Sequence, residues 1–156
     1  MKHLIKKVEE FYKKFNIPYS KAPTEIPWYV RELRYELMRE ENEEYAESKE
    51  NDIESIADAL GDKLYILIGT IIEHGLQDKI EDIFNEIHKS NMSKLGKDGK
   101  PIYREDGKIL KGEDYFKPNI RKIVGELQLT DCTCYLEKDS CDSSCVYDEK
   151  KYHKVR

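Results

Sequence analysis

Residues 53–74 read IESIADALGDKLYILIGTIIEH, and this stretch decides the fold. Ile53, Ile56, Leu60, Leu64, Leu67 and Ile71 recur at three- and four-residue steps, which gathers them on one face of a helix. The other side begins with Asp58 and Asp62 and turns apolar at Tyr65, Gly69 and Ile72. A helix apolar on both sides is expected at the centre of a bundle. Two acids one turn apart on such a helix are then expected to point at a neighbouring element and not at bulk water. Asn51-Asp52 supplies a start and Gly75 a stop.

Working outward, three further segments read as helices. Residues 4–15 place Leu4, Ile5, Val8, Phe11, Tyr12 and Phe15 on one stripe, and Asn16, Pro18 and Pro23 break the chain after it. A second helix is predicted from residues 24–27 to about residue 48, with Thr24 as its cap and Pro27 in its first turn. A fourth is predicted over residues 76–92, with Ile80, Ile83, Phe84 and Ile87 as its apolar stripe. Asp106-Gly107 between Ile102-Tyr103 and Ile109-Leu110 signals a short hairpin. Residues 118–128 are compatible with one last helix. The expected architecture is all-α, a four-to-five-helix bundle over residues 1–128 with a basic loop after helix four. A polar Cys-containing tail, residues 129–156, follows.

Composition narrows the function. The 156 residues suit one domain with a real core. A net charge of −5 argues against a general nucleic-acid binder. No stretch approaches the ~20 apolar residues of a membrane span, and the N-terminus lacks the apolar run of a signal peptide. A cytoplasmic location is the default expectation. Cys132, Cys134, Cys141 and Cys145 all lie in the tail, so the helical domain is not built on disulfides. Their spacing departs from that of structural zinc sites, so free thiols are expected there in place of Zn²⁺.

The second helix carries the chemistry. Val30, Leu33 and Leu37 form its core stripe, and the next positions on that stripe are Glu40, Glu41 and Glu44. Carboxylates on the continuation of a buried face need a compensating partner. With Asp58 and Asp62 on the third helix they make an all-oxygen set, which suits Mg²⁺ first and Mn²⁺ second. A di-iron bundle would need Glu-x-x-His motifs, and the sequence has none. After helix four, Lys94, Lys97, Lys100, Arg104, Lys108 and Lys111 form a basic loop suited to phosphate, with Lys97 and Lys100 read as ordinary solvated positions.

These residues resemble a known family. The run from Leu37 through Glu40, Glu41 and Glu44 is similar to the Glu-Glu-x-x-Glu motif of the all-α nucleoside triphosphate pyrophosphohydrolases. Asp58-Ala-Leu-Gly-Asp62 with Tyr65 and Gly69 resembles that family's second metal helix. His88-Lys-Ser-Asn91-Met-Ser-Lys94, with the Asp-Gly-Lys hairpin up to Lys111, resembles the MazG-like, phosphoribosyl-ATP pyrophosphohydrolase-like branch. The resemblance implies that Glu40, Glu41, Glu44 and Asp62 bind Mg²⁺ or hold its waters, with Asp58 a substitute ligand, because Ala59 stands where the family carries an acid. It implies that Asn91 and Lys94 contact phosphates, joined by Arg104, Lys108 and Lys111. The expected reaction is attack of water on the α-phosphorus of a nucleoside triphosphate, releasing pyrophosphate, with Glu40 or Glu41 orienting that water. Homodimers or homotetramers are the expected assembly. The rival readings are a non-catalytic nucleotide-binding protein with a degraded metal site, and a phosphoribosyl-ATP pyrophosphohydrolase.

Overall fold

A computed structural model of the chain describes residues 1–49 and 52–125. The expected tail and its four cysteines lie outside the described residues, as do the domain boundary at 128 and the end of the last predicted helix. Among the described residues five helices follow one another: α1 (Lys2–Lys14), α2 (Trp28–Glu47), α3 (Ile53–Glu73), α4 (Ile80–Met92) and α5 (Ile120–Val124). The architecture is all-α, and none of the described helices is long and apolar enough to cross a membrane. The described residues divide into two compact units, one ending at Gln77 and the other running from Asp78 to Gly125.

In the first unit α3 packs against both α1 and α2. Ile5, Val8 and Tyr12 of α1, Val30 of α2 and Ile68, Ile71 and Ile72 of α3 are buried. Asp52 caps α3 by accepting from the Ser55 N–H at 3.0 Å. Thr24 does not cap α2, whose N-cap is Pro27. Instead Thr24 is buried, and its N–H donates to the His74 carbonyl at 3.0 Å, tying the approach to α2 onto the end of α3. Gly75 is required at that end. It adopts φ +66, and a Cβ there would lie 1.9 Å from the Ala22 carbonyl oxygen.

One expectation about α3 is corrected. Its long apolar face is not central within the chain, because Ile53 is 75% exposed, Leu60 48%, Leu64 41% and Leu67 45%. The buried stripe passes instead through Ala59, Gly69 and Glu73.

In the second unit α4 starts at Ile80, later than expected, because residues 77–79 form a turn after Gly75. The predicted hairpin is reduced to one bridge, Tyr103 to Ile109, closed by Arg104 N–H to the Lys108 carbonyl at 2.8 Å. The basic loop is nevertheless pinned at its base. Ser90 Oγ donates to the Phe116 carbonyl at 2.8 Å, and the Gly112 N–H donates to the Lys94 carbonyl at 3.0 Å. Only glycine fits at position 112, where a Cβ would lie 2.1 Å from the Leu95 carbonyl oxygen.

Candidate functional site

Helices α2 and α3 bring the acidic residues together. Glu41 is half-buried, and its Oε2 is sealed from solvent without a hydrogen-bond partner among the described residues. Burial pushes its carboxyl above the ordinary range, and the charges of Glu44, Asp62, Asp58 and Glu40 push it further the same way. All five predicted carboxylates therefore share one electrostatic neighbourhood. Their burial differs from expectation, since Glu40, Glu44, Asp58 and Asp62 are exposed and only Glu41 sits on the continuation of the core stripe.

Whether these residues fit a divalent cation turns on Glu41. A sealed carboxylate oxygen with no donor, ringed by four more carboxylates, is short of positive charge, and the donor set is all oxygen. Among the described residues no three Asp, Glu, His or Cys side chains form a ready cage for a metal. What these side chains offer by their chemistry is an all-oxygen donor set, the kind that hard cations such as Mg²⁺ take. Ala59 is 2% exposed on the stripe of α3 that packs inward, so the acid expected there from the resemblance is replaced by a small side chain in a closed position.

One turn from the acids lies a cavity of about 380 Å³ between α1, α2 and α3. Leu37, one turn before Glu41, and Ile66, one turn after Asp62, both line it. Phe11, Phe15 and Tyr65 form an aromatic wall, with Phe11 and Tyr65 edge to face at 5.8 Å between centroids. Its deep end holds a polar group that sequence reasoning missed. Arg34 donates from Nε to Thr70 Oγ1 at 3.0 Å and from Nη2 to the Ile66 carbonyl at 2.6 Å. Its Nη1 lies 3.5 Å from Glu73 Oε1, which also accepts from the Tyr12 hydroxyl at 2.6 Å. Gly69 leaves room for this meeting, because a Cβ there would sit 2.6 Å from Tyr12 Oη and 2.9 Å from Arg34 Nη2. The signal was present in the sequence. Val30 to Arg34 and Gly69 to Glu73 each place a charge one turn along a stripe, and the two signs are opposite.

In the second unit the predicted phosphate residues fall into different states. Lys94 Nζ donates to Asn91 Oδ1 at 2.8 Å, so these two form a local pair on the last turn of α4 and the start of the loop. Arg104 is clamped by Asp106 within its own hairpin, which leaves it less available than expected. Lys111 lies over the Tyr115 ring at 4.3 Å, and Lys108 is exposed. Lys97 pairs with Glu113 at 2.5 Å on the surface, in keeping with its reading as a solvated position.

Comparison with known proteins gives this geometry a setting. A search of curated proteins finds no match. Among solved structures the chain is similar to a candidate NTP pyrophosphohydrolase from Exiguobacterium sp. 255-15, at 24% identity and a TM-score of 0.45, covering 78% of this chain and 93% of that one. The family model of phosphoribosyl-ATP pyrophosphohydrolase matches residues 8–91, a span that runs from the middle of α1 to the last turn of α4 and includes every carboxylate of the acidic group. The chain belongs to the phosphoribosyl-ATP pyrophosphohydrolase family.

Proposed function

We propose that the protein is a divalent-cation-dependent nucleoside triphosphate pyrophosphohydrolase, converting a (deoxy)nucleoside triphosphate and water to the monophosphate and pyrophosphate. The observation that carries this reading is the sealed, unpartnered Oε2 of Glu41 among four other carboxylates, on the two helices that the family match spans. Glu40, Glu41, Glu44, Asp58 and Asp62 would hold Mg²⁺, with Mn²⁺ the alternative. When bound, the cation supplies charge neutralisation at the phosphates and acidifies water.

The chain's own residues do the rest. The half-buried Glu41 or the neighbouring Glu40 orients the attacking water and accepts its proton. The cavity beside the acids takes the nucleoside, with the aromatic wall of Phe11, Phe15 and Tyr65 covering the base. Asn91 and Lys94, with Lys108, Lys111 and Arg104, are the proposed phosphate contacts by their chemistry. Arg104 must first leave Asp106.

The test is direct. Incubation with each nucleoside triphosphate and Mg²⁺ is expected to give monophosphate and pyrophosphate, whereas diphosphate and orthophosphate would overturn attack at the α-phosphorus. Glu41→Gln is expected to lower kcat about 10²–10⁴-fold. Phosphoribosyl-ATP belongs in the panel, because the matching family model carries its name. A kcat/KM for it well above that for every simple triphosphate would make it the substrate in their place.

A further inference from the structure

The guanidinium of Arg34 is gripped along one edge. Its Nε donates to Thr70 Oγ1 at 3.0 Å and its Nη2 to the Ile66 carbonyl at 2.6 Å, and these two groups share the side of the guanidinium that faces α3. A guanidinium carries five N–H groups in a fixed planar fork. Neither bond uses the edge at its tip, one N–H from each Nη. There Nη1 lies 3.5 Å from Glu73 Oε1, in ion-pair range but beyond an ordinary hydrogen bond. No other acceptor among the described residues meets the tip. Arg34 is 8% exposed, and a buried N–H without an acceptor costs free energy.

Arg34, Glu73 and Tyr12 form the polar end of the cavity between α1, α2 and α3. Beyond them the walls are mainly aromatic and aliphatic, and the Phe11 ring stands 4.3 Å from that of Phe15 and edge to face with Tyr65. Flat rings suit such walls. The charges at the polar end choose among flat ligands. Glu73 balances Arg34, so an anion on the fork would meet a carboxylate beside it, whereas a neutral ring edge would not. The fork calls for two adjacent acceptors. Glu73, which accepts from Tyr12 Oη, calls for a donor next to them.

We infer that Arg34, with Glu73 beside it, selects the base that enters this cavity, taking one with two adjacent acceptors next to a donor, cytosine or guanine. Cytosine presents O2 and N3 beside its amino group, and guanine presents N7 and O6 beside its N1–H. Uracil, thymine and adenine alternate donors and acceptors along their edges, so each would set a donor against one arm of the fork. The bonds to Thr70 and Ile66 hold the fork in place before any ligand arrives, so little side-chain freedom is lost on binding. The inference rests on the proposed reading of the cavity as the nucleoside site, and it adds to that reading which bases are taken and by what group.

Calorimetric titration of the full chain in chelator tests it, using the 5′-monophosphates of cytidine, guanosine, uridine and adenosine, which require no turnover. The cytidine or guanosine compound, or both, is expected to bind about 10–100-fold more tightly than the other two. Which of them leads distinguishes cytosine from guanine. Arg34→Lys keeps the charge and loses the fork, and is expected to bring the four affinities within about 3-fold of one another. Arg34→Leu/Glu73→Leu strands no charge and serves, with the same result expected, if the lysine variant does not fold. Uridine or adenosine monophosphate bound as tightly as the leading ligand would overturn the inference, as would failure of all four to bind. So would a preference that the folded variant keeps. Selective binding without hydrolysis of any triphosphate would leave the inference standing and remove the enzymatic reading. Equal binding with equal kcat/KM for all four triphosphates would do the reverse.

Discussion

At Arg34 and Glu73 the α2–α3 pair buries two opposite charges against each other, while two to three turns along, at Glu41 and Asp62, it gathers like charges and leaves most of them in water. The same two helices do both. At the first place the guanidinium donates to Thr70 and to the Ile66 carbonyl, and the carboxylate accepts from Tyr12, so the cost of leaving water is offset by hydrogen bonds within the fold. At the second the sealed Oε2 of Glu41 has no such donor among the described residues, and Glu44, Asp62, Asp58 and Glu40 repel its charge. A paired charge in a core belongs to the architecture. A gathered and unpaired set is the pattern expected where a ligand completes the balance.

The sharpest way to break this contrast is at the paired end. Arg34→Ala strands Glu73 in the core and is expected to cost about 3–5 kcal/mol in urea unfolding. The double variant Arg34→Leu/Glu73→Leu is expected to regain most of that loss, as apolar replacements of buried pairs commonly do. A single-variant cost below about 1 kcal/mol would remove the distinction between the two ends. Gly69→Ala comes next, at about 1–3 kcal/mol, because its methyl would collide with Tyr12 Oη and Arg34 Nη2. Were it neutral, the close approach of these groups to α3 would not be needed for packing.

The smallest change is expected at the acidic end, and its sign is opposite. The Glu41 carboxyl is held above its ordinary value in the folded chain, so the folded state binds that proton more tightly than the unfolded one. Stability from this group is therefore greatest at low pH and is lost as pH rises from the ordinary carboxylate range through the raised value. Without metal, Glu41→Gln is expected to raise Tm at neutral pH by about 2 °C and to flatten that pH dependence. A lowered Tm in chelator would mean that Glu41 is held by partners within the chain after all. Together with the activity loss proposed above, a gain in stability would mark Glu41 as kept for function at the expense of the fold.

Much of this was legible from residue spacing. The periodicity of residues 53–74 fixed α3 to within a residue at each end, since Asp52 and Gly75 act locally, through a side-chain cap and a positive φ. The acidic group was legible because Glu41 continues the Val30–Leu37 stripe at helical steps. The start of α4 was not, because residues 76–79 have no strong local breaker once Gly75 is past. Arg34 and Glu73 also escaped, since each looks like an isolated polar residue until the helices are set side by side. The exposure of Leu60, Leu64 and Leu67 could not be read at all, for periodicity reports that a face is apolar and not what covers it.

What the sequence determined by itself, then, is local and periodic: helices, the start and stop of α3, the turn glycines, and the stripe that ends in carboxylates. These depend on φ/ψ preferences and on a 3.6-residue repeat, both of which act within one segment. The tertiary structure decided which of the five acids loses its water, which basic side chains are already paired, and which apolar face is left bare. Those outcomes are set by distances between segments tens of residues apart, where burial and Coulomb energy depend on neighbours that no single stretch of chain contains.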